Sequence, residues 1–135
     1  MGMQRPLPER DTDAAPFWKG AAERQLLIQR CSACGAYQHY ARPFCLSCRS
    51  AAVEMVASAG HGVLHSFTIV NRSPFEDVSA PYVVGLVRLD EGVTLLTNIV
   101  ECEPGAVACD MPVEVTYLPL REDVVLPVFR PRNGT

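Results

Sequence analysis

Four of the six cysteines fall within one stretch, "RCSACGAYQHYARPFCLSCR" (30–49), spaced Cys31-x2-Cys34-x10-Cys45-x2-Cys48. A two-residue gap lets both sulfurs of a pair point into one turn, and two such turns facing each other make a tetrahedral cage of four thiolates. Gly35, directly after Cys34, supplies a backbone free to turn back beneath a metal. Thiolates in a closed tetrahedron favour zinc or iron over hard cations. The alternative, four buried or redox-active thiols without metal, fits the paired spacing poorly. A catalytic zinc keeps one position open, and four thiolates leave none, so a structural metal is expected. Iron would turn the same cage into an electron carrier of the rubredoxin kind. Against that, Cys48 is followed by Arg49 and not by the glycine that rubredoxin repeats at both knuckles. Zinc is the expectation.

The remaining reactive residues are scattered. Cys102 and Cys109 lie in the connection "ECEPGAVACD" and are expected to behave as small apolar side chains. His39 lies between the cysteine pairs, and His61 and His65 flank or enter a strand. No Ser-His-Asp or Cys-His arrangement can be assembled from them, so no catalytic residue is expected. Arg30, Arg42 and Arg49 surround the knuckles, and no acidic residue occurs between positions 24 and 53. Arginine suits bidentate phosphate contacts, which makes these three candidate contacts for an anionic ligand. Solvated arginines, or arginines paired with acidic groups elsewhere, are the equal alternative.

The elements that must hold these residues divide into three: 1–28 an extended and helical segment, 29–52 the cysteine ribbon, and 53–135 a strand-rich barrel. Residues 1–12 are rich in proline and charge and read as extended. "DTDAAPFWKGAAERQ" reads as a short helix with Pro16 near its first turn and Gly20 against it. "LLIQR" then runs into Cys31 as a strand. Beyond residue 52 come "GVLHSFTIVN" (62–71), "YVVGLVRLD" (82–90), "VTLLTNIVE" (93–101), "MPVEVTYLPL" (111–120) and "VVLPVFRP" (124–131). Alternation in the first puts Val63, Phe67 and Ile69 on one side and Ser66 and Thr68 on the other. Glu91-Gly92 marks a hairpin. Five strands without a long helix point to a mainly β fold closed as a five-stranded OB-type barrel, with an SH3-like barrel or half a sandwich as runner-up. Gly85 suits a barrel bend.

At 135 residues the chain fits one domain with a small appendage, and 48% apolar residues suffice for a core. It has no apolar run near the ~18 residues a membrane helix needs, and "MGMQRPLPERDTD" lacks a signal-peptide core. A cytoplasmic location, with thiols reduced or metal-bound, is expected. The net charge of −3 is uneven: residues 1–52 carry seven basic and four acidic groups, residues 53–135 five and eleven. An OB barrel that binds single-stranded nucleic acid wants a cationic groove with stacking aromatics. The acidic barrel argues against that reading, which stands as the alternative function.

The order of motifs resembles a known family. The stretches "LPERDTDAAPFWKG", "LIQRCSACG", "ARPFCLSC", "GHGVLHSFTIVNR", "APYVVGLVRLDEGVTLLTNIVEC", "MPVEVTY" and "LPVFRP" are similar to the acyl-CoA-associated zinc-ribbon/OB-fold proteins, long classed as a domain of unknown function. The resemblance runs from about Leu7 to Pro131; Asp110, where the family tends to have glycine, departs from it. It implies an N-terminal helical segment, a rubredoxin-like zinc ribbon with Cys31, Cys34, Cys45 and Cys48 as zinc ligands, and an OB barrel. It also implies a non-catalytic accessory or scaffold subunit beside a thiolase-like, condensing or hotdog-fold hydratase enzyme. Acyl-CoA becomes a candidate ligand, its phosphates meeting Arg30, Arg42 and Arg49. Phe17 and Trp18, adjacent on a short helix, cannot both face one small core, so the pair is a candidate partner surface. The strand "YVVGLV" is apolar on both faces and calls for cover from outside.

Overall fold

The computed structural model describes residue 7 and residues 14–39, 41–73, 75 and 78–132. The stretch expected to be extended, 1–12, lies outside them apart from Leu7. Helix α1 spans Ala15–Ala22, with Pro16 in its first turn, where a missing N–H leaves no bond unmade. It stops in a Schellman arrangement: the Arg24 N–H donates to Ala21 O (3.0 Å) and the Gln25 N–H to Gly20 O (2.8 Å), with Arg24 left-handed at φ 64°. Gly20, unfavourable by helix propensity, is needed for packing. A Cβ there would stand 2.7 Å from Leu27 Cδ1.

Strands β1 (Leu27–Cys31), β2 (Tyr37–Gln38) and β3 (Val53–Ala57) form an antiparallel sheet in the order β2-β1-β3. Val53–Ala57 falls on the barrel side of the expected boundary, yet it pairs with β1 from Leu27↔Ala57 to Cys31↔Val53 and not with a barrel strand. The ribbon sheet therefore extends to residue 57. At the turn beyond it, the Glu91 carboxylate accepts from the Ser58 hydroxyl (2.9 Å) and the Ala59 N–H (3.0 Å).

The five expected barrel strands are all present as β4 (His61–Val70), β5 (Tyr82–Leu89), β6 (Thr94–Ile99), β7 (Pro112–Pro119) and β8 (Val125–Pro131). They close in the order β4-β5-β6-β8-β7, with β6 and β8 parallel and the other neighbours antiparallel. Closure leaves no sheet edge bare. Two details differ from the alternation in the sequence. A bulge at His65, between the pairs Leu64↔Val87 and Ser66↔Leu86, reverses the pleat. Leu64 thus faces the core before it and Phe67 and Ile69 after it, while Val63 points outward and is exposed. The β5–β6 connection is two residues longer than expected, with Asp90, Glu91, Gly92 and Val93 outside the strands, the Leu89 N–H donating to Val93 O (2.8 Å) and Gly92 at φ 100°.

Gly62 and Gly85 are set by close approach. A Cβ on Gly62 would collide with the Arg88 carbonyl, and one on Gly85 would lie 2.7 Å from Leu64 Cδ1. One core runs through the molecule. Leu26 and Ile28, at the base of the ribbon, are buried with the barrel residues Leu64, Val87, Val113 and Phe129. Burying a large aliphatic or aromatic side chain is worth about 1.5–3 kcal/mol, so ribbon and barrel support each other.

Candidate metal centre and its flanking surface

Each cysteine pair sits on a tight turn of the same construction. In the first, the Cys31 N–H donates to Ala36 O (2.9 Å) and the Gly35 N–H to Cys31 O (2.7 Å), with Gly35 at φ 80°. In the second, the Cys45 N–H donates to Ser50 O (2.8 Å) and the Arg49 N–H to Cys45 O (2.9 Å), with Arg49 at φ 68°. Arg49 thus takes the left-handed backbone that Gly35 supplies in the first turn. The absent second glycine changes the residue and leaves the geometry intact.

The four sulfurs lie within 4.8 Å of one another. Cys31 Sγ is 3.6 Å from Cys48 Sγ, and Cys34 Sγ is 3.7 Å from Cys45 Sγ. A tetrahedron with metal–sulfur bonds of about 2.3 Å sets its sulfurs about 3.8 Å apart. The cluster is poised for a metal of that size with all four positions filled by protein. Cys31 and Cys45 are buried, and Cys34 and Cys48 are exposed.

Backbone N–H groups prepare the thiolates. The Cys45 thiol is lowered to about 6, chiefly by the Cys48 N–H and, against burial, also by the Ser47 N–H at 3.3 Å. The Cys31 thiol is lowered as well, first by the Cys34 N–H. For Cys48, the pull of the Ser50 N–H is outweighed by burial and by the three neighbouring sulfurs, which push it up to about 12. Without a cation four thiolates cannot share this space. A divalent metal removes the conflict.

The second turn lies in a long loop and is held by two glutamines that the spacing of the cysteines does not announce. Gln29, buried on β1, donates from Nε2 to Arg42 O (2.8 Å) and accepts the Arg42 N–H at Oε1 (3.0 Å). Gln38 on β2 donates to Gln29 Oε1 (2.7 Å) and Phe44 O (3.2 Å) and accepts the Leu46 N–H (3.0 Å). The amide pair replaces the strand ladder that this loop lacks.

Other residues singled out in the sequence are dispersed. Phe17 packs against the core, with the Trp18 ring edge-on at 5.0 Å and the His39 ring at 5.4 Å. Burial pushes the His39 imidazole down to about 4. His61 and His65 lie on β4 and are not part of the cluster of four sulfurs. Cys102 packs against the core as expected of an apolar thiol, whereas Cys109 is exposed in the turn before Asp110 and does not fill that role. Arg30 lies over the Tyr37 ring (5.9 Å), and Arg42 and Arg49 are exposed. Outside the barrel, a groove of about 300 Å³ runs between Phe75, Val78, Tyr82, Val84 and Leu96. Phe75 and Val78 line this groove opposite Tyr82 and Val84 on the outer face of β5.

Comparison with known proteins falls on the same two parts. A family model described as the ChsH2 rubredoxin-like zinc ribbon domain matches residues 18–54, and the ChsH2 C-terminal OB-fold domain matches 55–118. A "probable enoyl-CoA hydratase alpha subunit" from Thermomonospora curvata is 39% identical over 127 residues, which cover 94% of this chain and 40% of that protein. The chain thus spans two fifths of that relative's length. A "DUF35 domain-containing scaffold protein" from Methanocaldococcus jannaschii is 32% identical over 84% of this chain and 83% of its own. Among solved structures, a chain of the "Ltp2-ChsH2(DUF35) aldolase" superposes with a TM-score of 0.84 at 38% identity, covering 94% of this chain and 98% of that one.

Proposed function

Since this chain belongs to the DUF35 family of zinc-ribbon/OB-fold proteins, we propose that it is a non-catalytic accessory subunit of an acyl-CoA-metabolising enzyme. The observation that carries the reading is the likeness, nearly end to end, to a chain of the Ltp2-ChsH2(DUF35) aldolase. The full-length scaffold relative points the same way. A thiolase-like or hotdog-fold hydratase subunit is the proposed partner. The metal is zinc, bound by Cys31, Cys34, Cys45 and Cys48, and it organises the ribbon without taking part in chemistry. Closed coordination by four thiolates supports that role. The place of action is the cytoplasm, where thiols stay available to the metal; among the described residues no helix is long and apolar enough to cross a membrane.

Two finer readings attach to particular side chains. Trp18, half-buried beside Phe17, is the anchor of the pair left over for a partner. Acyl-CoA meets the chain through phosphate contacts at Arg30, Arg42 and Arg49, a reading supported by the run of residues without acidic groups. Calorimetric titration with CoA, repeated on Arg30→Ala, Arg42→Ala and Arg49→Ala, measures those contacts. The accessory role is tested by co-expression with the Ltp2 aldolase chain. A stoichiometric complex that survives gel filtration is expected, weakened by more than ~1 kcal/mol in Trp18→Ala. Elution of the two proteins apart would count against the role with that partner. Unfolding of the isolated Trp18→Ala protein would assign the residue to the core.

A further inference from the structure

The second cysteine turn exposes more apolar surface than a metal-holding loop requires. Leu46 is 55% exposed at its tip, Phe44 is 40% exposed, and neighbouring Tyr37 is 39% exposed. Singly scattered apolar side chains are ordinary, but exposed ones grouped on one loop, as Phe44 and Leu46 are, mark a contact site. The loop is also held at several points: Gln29 and Gln38 hold the backbones of Arg42, Phe44 and Leu46, and the Cys45 sulfur lies within the cluster of four sulfurs. A presented side chain on a preorganised loop loses little freedom on binding.

Charge narrows the occupant. Arg42 and Arg49 flank the apolar pair on both sides, both exposed, and no acidic residue occurs from 24 to 53. Arg49 keeps its side chain at φ 68°, where the first turn uses glycine at φ 80°. A left-handed backbone is disfavoured for a residue with a Cβ, so the arginine stands where backbone preference alone would select glycine. Nucleic acid is a poor match despite the exposed Phe44 and Tyr37 rings, because it wants a continuous cationic groove and residues 53–135 carry eleven acidic groups against five basic ones. An apolar recess rimmed by carboxylates on a protein fits both features.

We infer that the tip of the second cysteine turn, Phe44 and Leu46 between Arg42 and Arg49, docks into an acidic-rimmed apolar recess of the partner enzyme subunit. This rests on the accessory-subunit reading and says where the contact is made. The arginines steer and orient the approach, an effect that salt screens; Leu46 fills the recess.

The test uses the full zinc-loaded chain and the Ltp2 aldolase chain as probe, with affinity measured at low and at ~150 mM salt. Leu46→Asp should weaken binding about tenfold or more. Arg49→Gly should weaken it several-fold and flatten its salt dependence, while zinc content and thermal stability are kept or improved because the left-handed strain is relieved. That combination separates a binding role from a structural one. Wild-type affinity in both variants would overturn the inference and leave the accessory reading standing. Loss of CoA binding alone in Arg49→Gly, with the complex intact, would likewise overturn it. No binding by the wild-type chain would instead count against the accessory role with that partner, on which the inference rests. Sub-micromolar binding of a single-stranded oligonucleotide at ~150 mM salt, lost in Leu46→Asp, would assign the tip to nucleic acid.

Discussion

At the scale of single residues, two cases show what local spacing and local backbone geometry each determine. The four cysteines could be read from spacing because a Cys-x-x-Cys turn is a local device that needs no knowledge of the rest of the chain. Elemental analysis should find close to one zinc per chain, and Cys45→Ser should abolish it; a red, iron-loaded protein from zinc-replete medium would exclude zinc. Asp110 is the second case. It departs from the glycine of the family and lies at φ 67°, with its N–H donated to Leu64 O at 2.7 Å. The turn is kept and the strain is carried by the aspartate. Asp110→Gly should therefore raise stability by up to ~1 kcal/mol in a denaturant melt; a loss of stability would mean that its side chain holds the turn. What could not be read at this scale was the pair Gln29 and Gln38. Their partners lie up to 13 positions away, and a polar residue in a strand has no period that announces such a contact.

At the scale of elements, strands with clean alternation were legible and irregular ones were not. β7 alternates Val113, Val115 and Tyr117 with Glu114 and Thr116, and β5 is a continuous apolar run bounded by turn residues; both fall within a residue of the expected bounds. The His65 bulge escaped notice because an inserted residue breaks the period that makes a strand visible. β3 was not anticipated as part of the ribbon, since "VEMVA" is short and its partner, β1, lies on the far side of the cysteine loop. The contact between α1 and the residues after β2 makes its own expectation. His39, packed on Phe17, titrates at about 4 in the fold against an ordinary 6.5. For a base with a depressed folded value, the unfolded chain binds the proton first. Its contribution to stability is thus complete above about pH 6.5 and is lost as pH falls toward 4. Thermal melts of the wild type should fall across that window by the equivalent of ~2 kcal/mol. His39→Phe should flatten the decline; an unchanged slope would show that the ring does not carry it.

At the scale of the whole molecule, ribbon and barrel share a core through Leu26 and Ile28, and Glu91 ties the turn between them to the β5–β6 hairpin. Removing zinc with a chelator should accordingly lower the melting temperature of one cooperative transition; two separated transitions, the later one unmoved, would mean that the barrel stands alone. The barrel was legible as a class because five short apolar runs, each bounded by turn residues, have few ways to bury themselves. Function was not legible from the residues alone, because it lies in surfaces that meet another protein. Residue patterns reveal cores and metal sites far more directly than they reveal partners. The most direct measurement is turnover of acyl-CoA thioesters by this chain alone, by the Ltp2 aldolase chain alone, and by the two together. The chain alone should be inactive, and the mixture should exceed the aldolase chain alone. Turnover by the isolated chain would contradict the role of an accessory subunit, and an aldolase rate indifferent to its presence would contradict that role with this partner.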